Sequence, residues 1–316
     1  MLSYENQDHM KKIVISGIGG VGGYFGGLLA HHFRNTNTEI YFIARGENEK
    51  AIRQHGLRME TGTGNFTAYP KRVSAKASDI GPADLFICCT KTYDLEENIE
   101  QSKACIGSGT VILPLHNGVD SRERIKKLLP GNETWDGCVY LVSRLAAPGL
   151  IRETGNIRKL FFGSVSDNGG KQEETEHIFR DAGIEAQWSP EIESTTWEKF
   201  CFISPLATVT SHLDSSIGAT LADEHGRTLI NALLPEIKAV ADSKQIRLPE
   251  NIIPLTQDKM AAIPYETKTS MHSDFQKGGK TELESLTGYV VRSAQALHLD
   301  VPNYERLYEA LKNRNS

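Results

Sequence analysis

The sequence predicts an α/β domain built on a parallel, doubly wound sheet, followed by an all-helical domain. Three observations predict this. Short apolar runs alternate with helical stretches through the first half of the chain, which sets parallel strands side by side with helices between them. A glycine-rich turn joins the first of these strands to the first helix. From Glu191 onward the texture is helical almost throughout, with isolated breakers such as Pro205, Pro235 and Pro249. The 316 residues exceed the usual size of one domain, so two domains are expected. The reading places them at 1–190 and 191–316, with the boundary near Pro190.

The elements follow in order. Lys11 to Ser16 is a short buried strand, preceded by a polar extension over residues 1–9, with Met10 an alternative start. Gly22 to Phe33 has helical spacing. Glu39–Ala44, Ala83–Cys89 and Val111–Leu115 are the next strands. The runs beginning at Cys138, Lys159 and Glu185 are later strands of the same domain, and residues 164–172 form a loop. In the second domain, Pro249-Glu250-Asn251 and Ile263-Pro264 mark loops between helices. The apolar spacing from Leu229 to Val240 suits either a core helix or a dimer face, and core is the default.

Composition narrows the function classes. Hydrophobic residues make up 39% and charged residues 24%, which supports a folded chain with a real core. Lys plus Arg total 35 and Asp plus Glu 40, so the formal charge is −5. That balance counts against binding to nucleic acid or an anionic membrane surface. No apolar run approaches the roughly 18 residues of a membrane helix, and the N-terminus lacks an apolar signal core. The five cysteines, Cys88, Cys89, Cys105, Cys138 and Cys201, are odd in number and lack CxxC spacing. Reduced thiols in a cytoplasmic protein are expected, with no metal site and no disulfide framework.

Gly17-Ile18-Gly19-Gly20-Val21-Gly22 fits G-x-G-x-x-G and lies between a strand and a helix. One glycine makes the tight turn, one lets the backbone approach a pyrophosphate, and one lets helix and strand pack closely. The helix N-terminus then offers N–H groups to phosphate. The alternative is a glycine-rich turn that binds nothing. The second strand ends in Ala44-Arg45, 23 residues after Gly22. NAD enzymes usually carry an acid there, whereas a guanidinium suits the 2′-phosphate of NADP. The alternative is a surface arginine, with Glu47 nearby. Lys91 follows the third strand at the edge that faces a ligand crevice, and it is either a phosphate or substrate ligand or a solvated lysine. His116-Asn117-Gly118 follows the next strand. Asn-Gly is by default a turn, but its position also makes Asn117 a candidate ligand on the nicotinamide side.

Two charges stand out in the helical half. Thr195 and Glu198 fit a capping box, which predicts a helix from about Thr196. Lys199 then sits in the otherwise apolar run Trp197 to Ile203. A lysine in such a run has a partner or a task, unless it snorkels to water. Later, Ser270 and Asp274 share a helix face, and Glu282 lies near the start of a helix running to about Leu297. An ordinary N-terminal helix charge explains Glu282 equally well.

In this order and spacing, the motifs resemble the ketopantoate reductase (2-dehydropantoate 2-reductase) family from Lys11 to Lys312. The resemblance rests on the glycine loop, Ala44-Arg45, Thr90-Lys91, His116-Asn117-Gly118, Trp197-x-Lys199, Ser270-Met271, Asp274, Thr281-Glu282 and Leu299-Asp300-Val301-Pro302. It implies an N-terminal Rossmann dinucleotide-binding domain, a helical C-terminal domain and an active site in the cleft between them. It implies NADPH as hydride donor and a branched 2-oxo acid as acceptor, most directly ketopantoate in pantothenate biosynthesis. Lys199 and Glu282 fall on the catalytic lysine and the active-site glutamate. Asn117 falls on the asparagine near nicotinamide and substrate, and Ser270 on a substrate-binding serine. Gly17, Ile18, Gly19, Gly20, Val21, Gly22, Arg45 and Lys91 fall on cofactor-binding positions. A homodimer is compatible with it.

The chain departs from better-known members at several positions. A substrate-binding asparagine four residues after the lysine is here Ile203, the polar position three residues before Ser270 is Thr267, and His116 replaces a common glutamine. Losing an amide from a polar site removes contacts that fix one substrate. Two other readings therefore stand beside ketopantoate reduction. One is a related NADP-dependent reductase of another 2-oxo acid, or an opine-type or 3-hydroxyacid dehydrogenase on a similar two-domain plan. The other is a non-catalytic NADP(H)-binding sensor, which would need neither Lys199 nor Glu282.

Overall fold

The computed structural model describes residues 11–155, 157–164 and 170–314. The polar extension at 1–9, the start at Met10 and residues 165–169 of the expected loop lie outside the described residues. The chain forms two compact units. The first takes the residues up to His116 together with Ser121–Ile192, and the second takes Asn117–Asp120 together with the residues from Glu193 on.

The first unit is built on a five-stranded sheet. In chain order its strands are β1 (Lys12–Ser16), β2 (Glu39–Ile43), β5 (Arg72–Ser74), β6 (Leu85–Cys88) and β7 (Val111–Pro114). They lie in the order β5-β2-β1-β6-β7, and every pairing is parallel. Their apolar runs show why. Ile13, Ile15, Leu85, Ile87, Val111 and Leu113 enter one core. The alternate residues Val14, Phe86, Cys88 and Ile112 enter a second core on the other face. A strand with period-two side chains and helices on both faces needs apolar residues at every position. The helices are α1 (Gly20–His32), α2 (Gly46–His55), α3 (Leu95–Gln101) and α4 (Ser121–Leu128). Helix α1 starts two residues before the expected Gly22.

Two smaller sheets complete this unit. One is β4-β3-β10-β9, from β3 (Leu57–Thr61), β4 (Gly64–Ala68), β9 (Ser143–Ala147) and β10 (Leu150–Glu153). The other is β12-β11-β8, from β8 (Asp136–Tyr140), β11 (Lys159–Gly163) and β12 (Glu185–Trp188), with α5 (Lys171–Asp181) between the last two. This corrects the sequence reading in two places. The run from Cys138 is two strands, because Leu141 and Val142 break it and send its halves to different sheets. The short strands β3, β4, β5 and β10 carry charged or small residues and give no apolar run to read.

The second unit is helical: α6 (Ile192–Leu213), α7 (Ile217–Ala222), α8 (Glu224–Ser243), α9 (Ile252–Ala261), α10 (Ser270–Gln276), α11 (Tyr289–Leu297) and α12 (Pro302–Arg314). Helix α6 begins at Ile192, four residues before the expected Thr196. Thr195, the expected cap, therefore lies inside the helix. Thr196 Oγ1 donates to Glu193 O at 2.8 Å, and Glu198 lies 3.9 Å from the ammonium of Lys259. Pro205 and Pro235 lie inside α6 and α8 and do not break them. Leu229, Ile230, Leu233, Leu234, Ile237 and Val240 are all buried in this unit's core, as the default reading expects. Among the described residues, no helix is long and apolar enough to cross a membrane, and no cluster of three or more His, Cys, Asp or Glu could hold a metal ion.

Two expected outcomes follow. A Cβ on Gly22 would lie 2.2 Å from Gly17 O and 2.8 Å from Cys89 Cβ. Gly22→Ala should therefore destabilise the first unit by about 1–3 kcal/mol, read as a lower urea midpoint. Burial pushes the thiols of Cys88 and Cys105 up to about 11 and that of Cys201 up to about 12. All three should react with iodoacetamide at pH 8 far more slowly in the folded chain than in urea. An unfolded thiol titrates near about 8.5. Above that pH the unfolded chain releases protons that the folded chain keeps, so stability falls as pH rises toward 11. Urea midpoints measured from pH 7 to 10 check the sign.

Candidate active site

The glycine loop closes around its own backbone. Gly17 has φ +91°, and a Cβ there would meet the backbone of Cys89 and Thr90 at 2.7 Å. A Cβ on Gly20 would lie 2.2 Å from Ser143 O. At Gly19 the same construction meets nothing within 4 Å. The loop is thus packed tight on the protein side and open at Gly19. Gly19 is the N-cap of α1, and no side chain caps that helix. Unsatisfied N–H groups at an open glycine turn can take an anion such as a pyrophosphate. Asn48 on α2 braces the loop, donating through Nδ2 to Ile18 O at 2.9 Å and accepting through Oδ1 from Gly149 N at 2.8 Å.

The ends of β1, β6 and β7 are tied by a buried chain of polar side chains. Ser121 Oγ lies 2.9 Å from His116 Nδ1, and His116 Nε2 lies 3.6 Å from Cys88 Sγ. The thiol donates to Asn98 Oδ1 at 3.2 Å, and Asn98 Nδ2 donates to Ser16 Oγ at 2.6 Å. A thiol has one proton, so His116 donates from Nε2 toward the sulfur. Burial holds that thiol neutral. The chain fixes the residue before Gly17, the strand end before Lys91, and the residue before Asn117. Lys91 itself is half-buried and opens a short 3-10 turn at Thr92–Asp94. Arg45 is exposed at the end of β2, and its Nη2 donates to Gln101 Oε1.

In the second unit, Trp197, Phe200 and Cys201 are buried, and the rings of Trp197, Phe200 and Tyr289 pack edge to face or tilted, with centroids 5.4–6.2 Å apart. These contacts leave Lys199 half-buried on α6. Its Nζ donates to Asn117 Oδ1 at 3.0 Å. Asn117 belongs to this unit although the chain before it belongs to the other. Gly118, with φ +97°, brings its backbone close to Ser285: a Cβ there would lie 3.2 Å from Ser285 O.

Ser285 lies in a single π-helical turn, Glu284–Gly288, that leads into α11. A π turn often marks a functional position. Here hydroxyls of α6 hold it. Ser204 Oγ donates to Leu286 O at 2.8 Å and pairs with Tyr304 OH at 2.8 Å, while Thr208 and Thr287 pair at 2.7 Å. Glu282 lies just before this turn and is 3% exposed. It is therefore a buried carboxylate just before a helical turn. Ser270 is exposed as the first residue of α10, with Asp274 on the same helix. Ile203 lies one turn after Lys199, half-buried against the apolar core.

The lysine and the asparagine, 82 residues apart in sequence, are thus joined directly. Sequence reasoning missed the buried chain through His116, Cys88 and Asn98. Its signal is three polar or thiol residues at or beside apolar strand ends. It also missed Asn48, Gln101 and the π turn, which carry no motif. An ammonium held by an amide oxygen can stabilise negative charge on a substrate oxygen and give it a proton.

The family description Ketopantoate reductase PanE/ApbA matches residues 13–167, and Ketopantoate reductase PanE/ApbA C terminal matches residues 191–315. An uncharacterized oxidoreductase, YkpB, of Bacillus subtilis is 29% identical over 95% of this chain and 98% of its own length. A 2-dehydropantoate 2-reductase of a Nostoc species is 25% identical over 96% of this chain and 94% of its own. The crystal structure of 2-dehydropantoate 2-reductase from Porphyromonas gingivalis superposes with a TM-score of 0.84 at 34% identity, over 96% of this chain and all of that one. With the two domains matched in order and the glycine loop and lysine helix in place, the chain belongs to the ketopantoate reductase family of oxidoreductases.

Proposed function

We propose that this chain reduces the ketone of a branched 2-oxo acid with a hydride from NADPH, and that its first substrate is ketopantoate, giving pantoate. The observation that carries the reading is the bond from Lys199 Nζ to Asn117 Oδ1 at 3.0 Å. That bond orients the ammonium without neutralising it, because an amide oxygen brings a dipole and no countercharge.

The glycine loop fits the pyrophosphate, since it is packed shut at Gly17, Gly20 and Gly22 and open at Gly19 beside an uncapped helix. Arg45 and Lys91 would take phosphate charge, and the exposed guanidinium of Arg45 supports NADPH over NADH. Bound NADPH would supply the hydride to the carbonyl carbon. Lys199 stabilises the charge that develops on the carbonyl oxygen and gives it a proton, and its neutral amine then regains one from solvent. Asn117 holds Lys199 in place for that transfer. Glu282, buried just before the π turn, accepts a hydrogen bond from the substrate hydroxyl, and Ser270 donates to the substrate. Five cysteines outside any disulfide support a reducing compartment such as the cytoplasm.

One observation favours a second substrate within the same reaction. Ile203, one turn beyond Lys199, offers methyl groups where an amide would bind a polar substituent. A second reading, with another 2-oxo acid as acceptor, rests on that apolar side chain.

The first test is loss of NADPH absorbance with ketopantoate, beside NADH and a panel of 2-oxo acids. Fast turnover with ketopantoate and NADPH alone is the expected result. Turnover of a different acid would move the substrate and keep the mechanism. Silence across the panel with tight NADPH binding would replace the enzyme by a sensor. Lys199→Ala should lower kcat by about 10²–10⁴-fold with an unchanged circular dichroism spectrum, and near-normal turnover would sink the role of the lysine. Ile203→Asn should raise kcat/KM for ketopantoate, and no change would mean that the pocket has been rebuilt around another acid.

A further inference from the structure

We propose that Gln101 is a positioning residue that sets the coenzyme preference of this chain, by holding Arg45 for a 2′-phosphate and keeping Glu97 away from it. The inference rests on the NADPH reading above and goes beyond it to a residue in no motif.

Gln101 is the last residue of α3. Its side chain bonds on both ends. Oε1 accepts from Arg45 Nη2, and Nε2 donates to Glu97 Oε1 at 2.6 Å. The two partners fix the amide orientation, since only the oxygen can face a guanidinium and only the NH₂ can face a carboxylate. Arg45 is exposed, and no side chain caps α2, which follows it. An exposed arginine samples many rotamers, and binding a phosphate must order it. One hydrogen bond from Gln101 orders it beforehand and uses one of five N–H groups, leaving the others for the ligand.

The acids of α3 show why the residue is an amide. Glu96 is taken by Arg124 at 2.6 Å, and Glu100 lies 2.6 Å from Lys103. Among the described residues Glu97 pairs with no such cation, and it sits one helical turn before Gln101, with the amide between it and Arg45. A carboxylate at position 101 would pair with Arg45 and compete with a dianionic 2′-phosphate. A small residue there would free Glu97 to do the same. Gln101 is neutral toward both and separates them.

The test uses the full chain and two nucleotide fragments, adenosine 2′,5′-bisphosphate and AMP, with calorimetric binding as the readout. Gln101→Ala should weaken adenosine 2′,5′-bisphosphate about fivefold, the size of one ordinary hydrogen bond, and leave AMP within about twofold. Gln101→Glu, which keeps the shape and adds charge, should weaken the bisphosphate about tenfold or more. In turnover, KM for NADPH should rise with kcat at saturation unchanged, and the NADH constants should not move. Each variant is checked by circular dichroism and melting temperature. If wild type prefers the bisphosphate and Gln101→Ala leaves that preference intact, the role of Gln101 is overturned and the NADPH reading stands. If wild type binds AMP as tightly as the bisphosphate, the NADPH reading fails and this inference fails with it.

Discussion

A parallel sheet covered on both faces has nowhere dry to put polar groups except in mutual hydrogen bonds, and that constraint shapes the first unit at the carboxyl ends of its strands. Ser16, Cys88 and His116 stand where β1, β6 and β7 finish, all buried. Each would be costly if left without a partner. The run from Ser121 through His116, Cys88 and Asn98 to Ser16 satisfies them. What it cross-links is the set of strand ends from which the glycine loop, Lys91 and Asn117 emerge. The buried chain thereby fixes the positions from which those residues emerge.

The second unit uses a different device for the same purpose. Helix α6 buries aromatic rings on the flanks of Lys199 and hydroxyls further along. The rings fix the height of the lysine. The hydroxyls of Ser204 and Thr208 grip the π turn that follows Glu282. A π turn leaves carbonyls out of the regular ladder, and a donor from a neighbouring helix then has something to bind. The helix that carries the cation thereby also fixes the turn next to the buried acid.

Much of this was legible in the residues. The strands at Lys12, Glu39, Leu85 and Val111 are apolar runs of the right length, and the glycine loop stands in its strand–turn–helix context. Lys199 betrayed itself as a charge in an apolar stretch. The rest was hidden for physical reasons. The start of α6 was misread because Thr195 and Glu198 have capping-box spacing, while burial of Ile192 extends the helix back past them. Pro205 and Pro235 looked like breakers, but packing on the core outweighs one missing N–H in a helix of more than five turns. Buried Glu282 and exposed Ser270 could not be told apart by local sequence, since burial is set by what the rest of the fold brings against them. Gln101 has no signal at all, because its meaning lies in a partner 56 residues away.

The segment Asn117–Asp120 has an implication for modularity. The chain leaves the first unit at His116, supplies four residues to the second, and returns at Ser121, long before the second unit's main body begins at Glu193. The helical unit is therefore not a contiguous gene segment. A fragment cut at residue 193 would carry Lys199 without the amide that orients it, and a chimera that exchanged helical halves between relatives would pair one protein's lysine with another's asparagine. During synthesis the ribosome delivers that acceptor some 80 residues before its donor, so the lysine's setting is completed only when the early and late segments of the second unit come together.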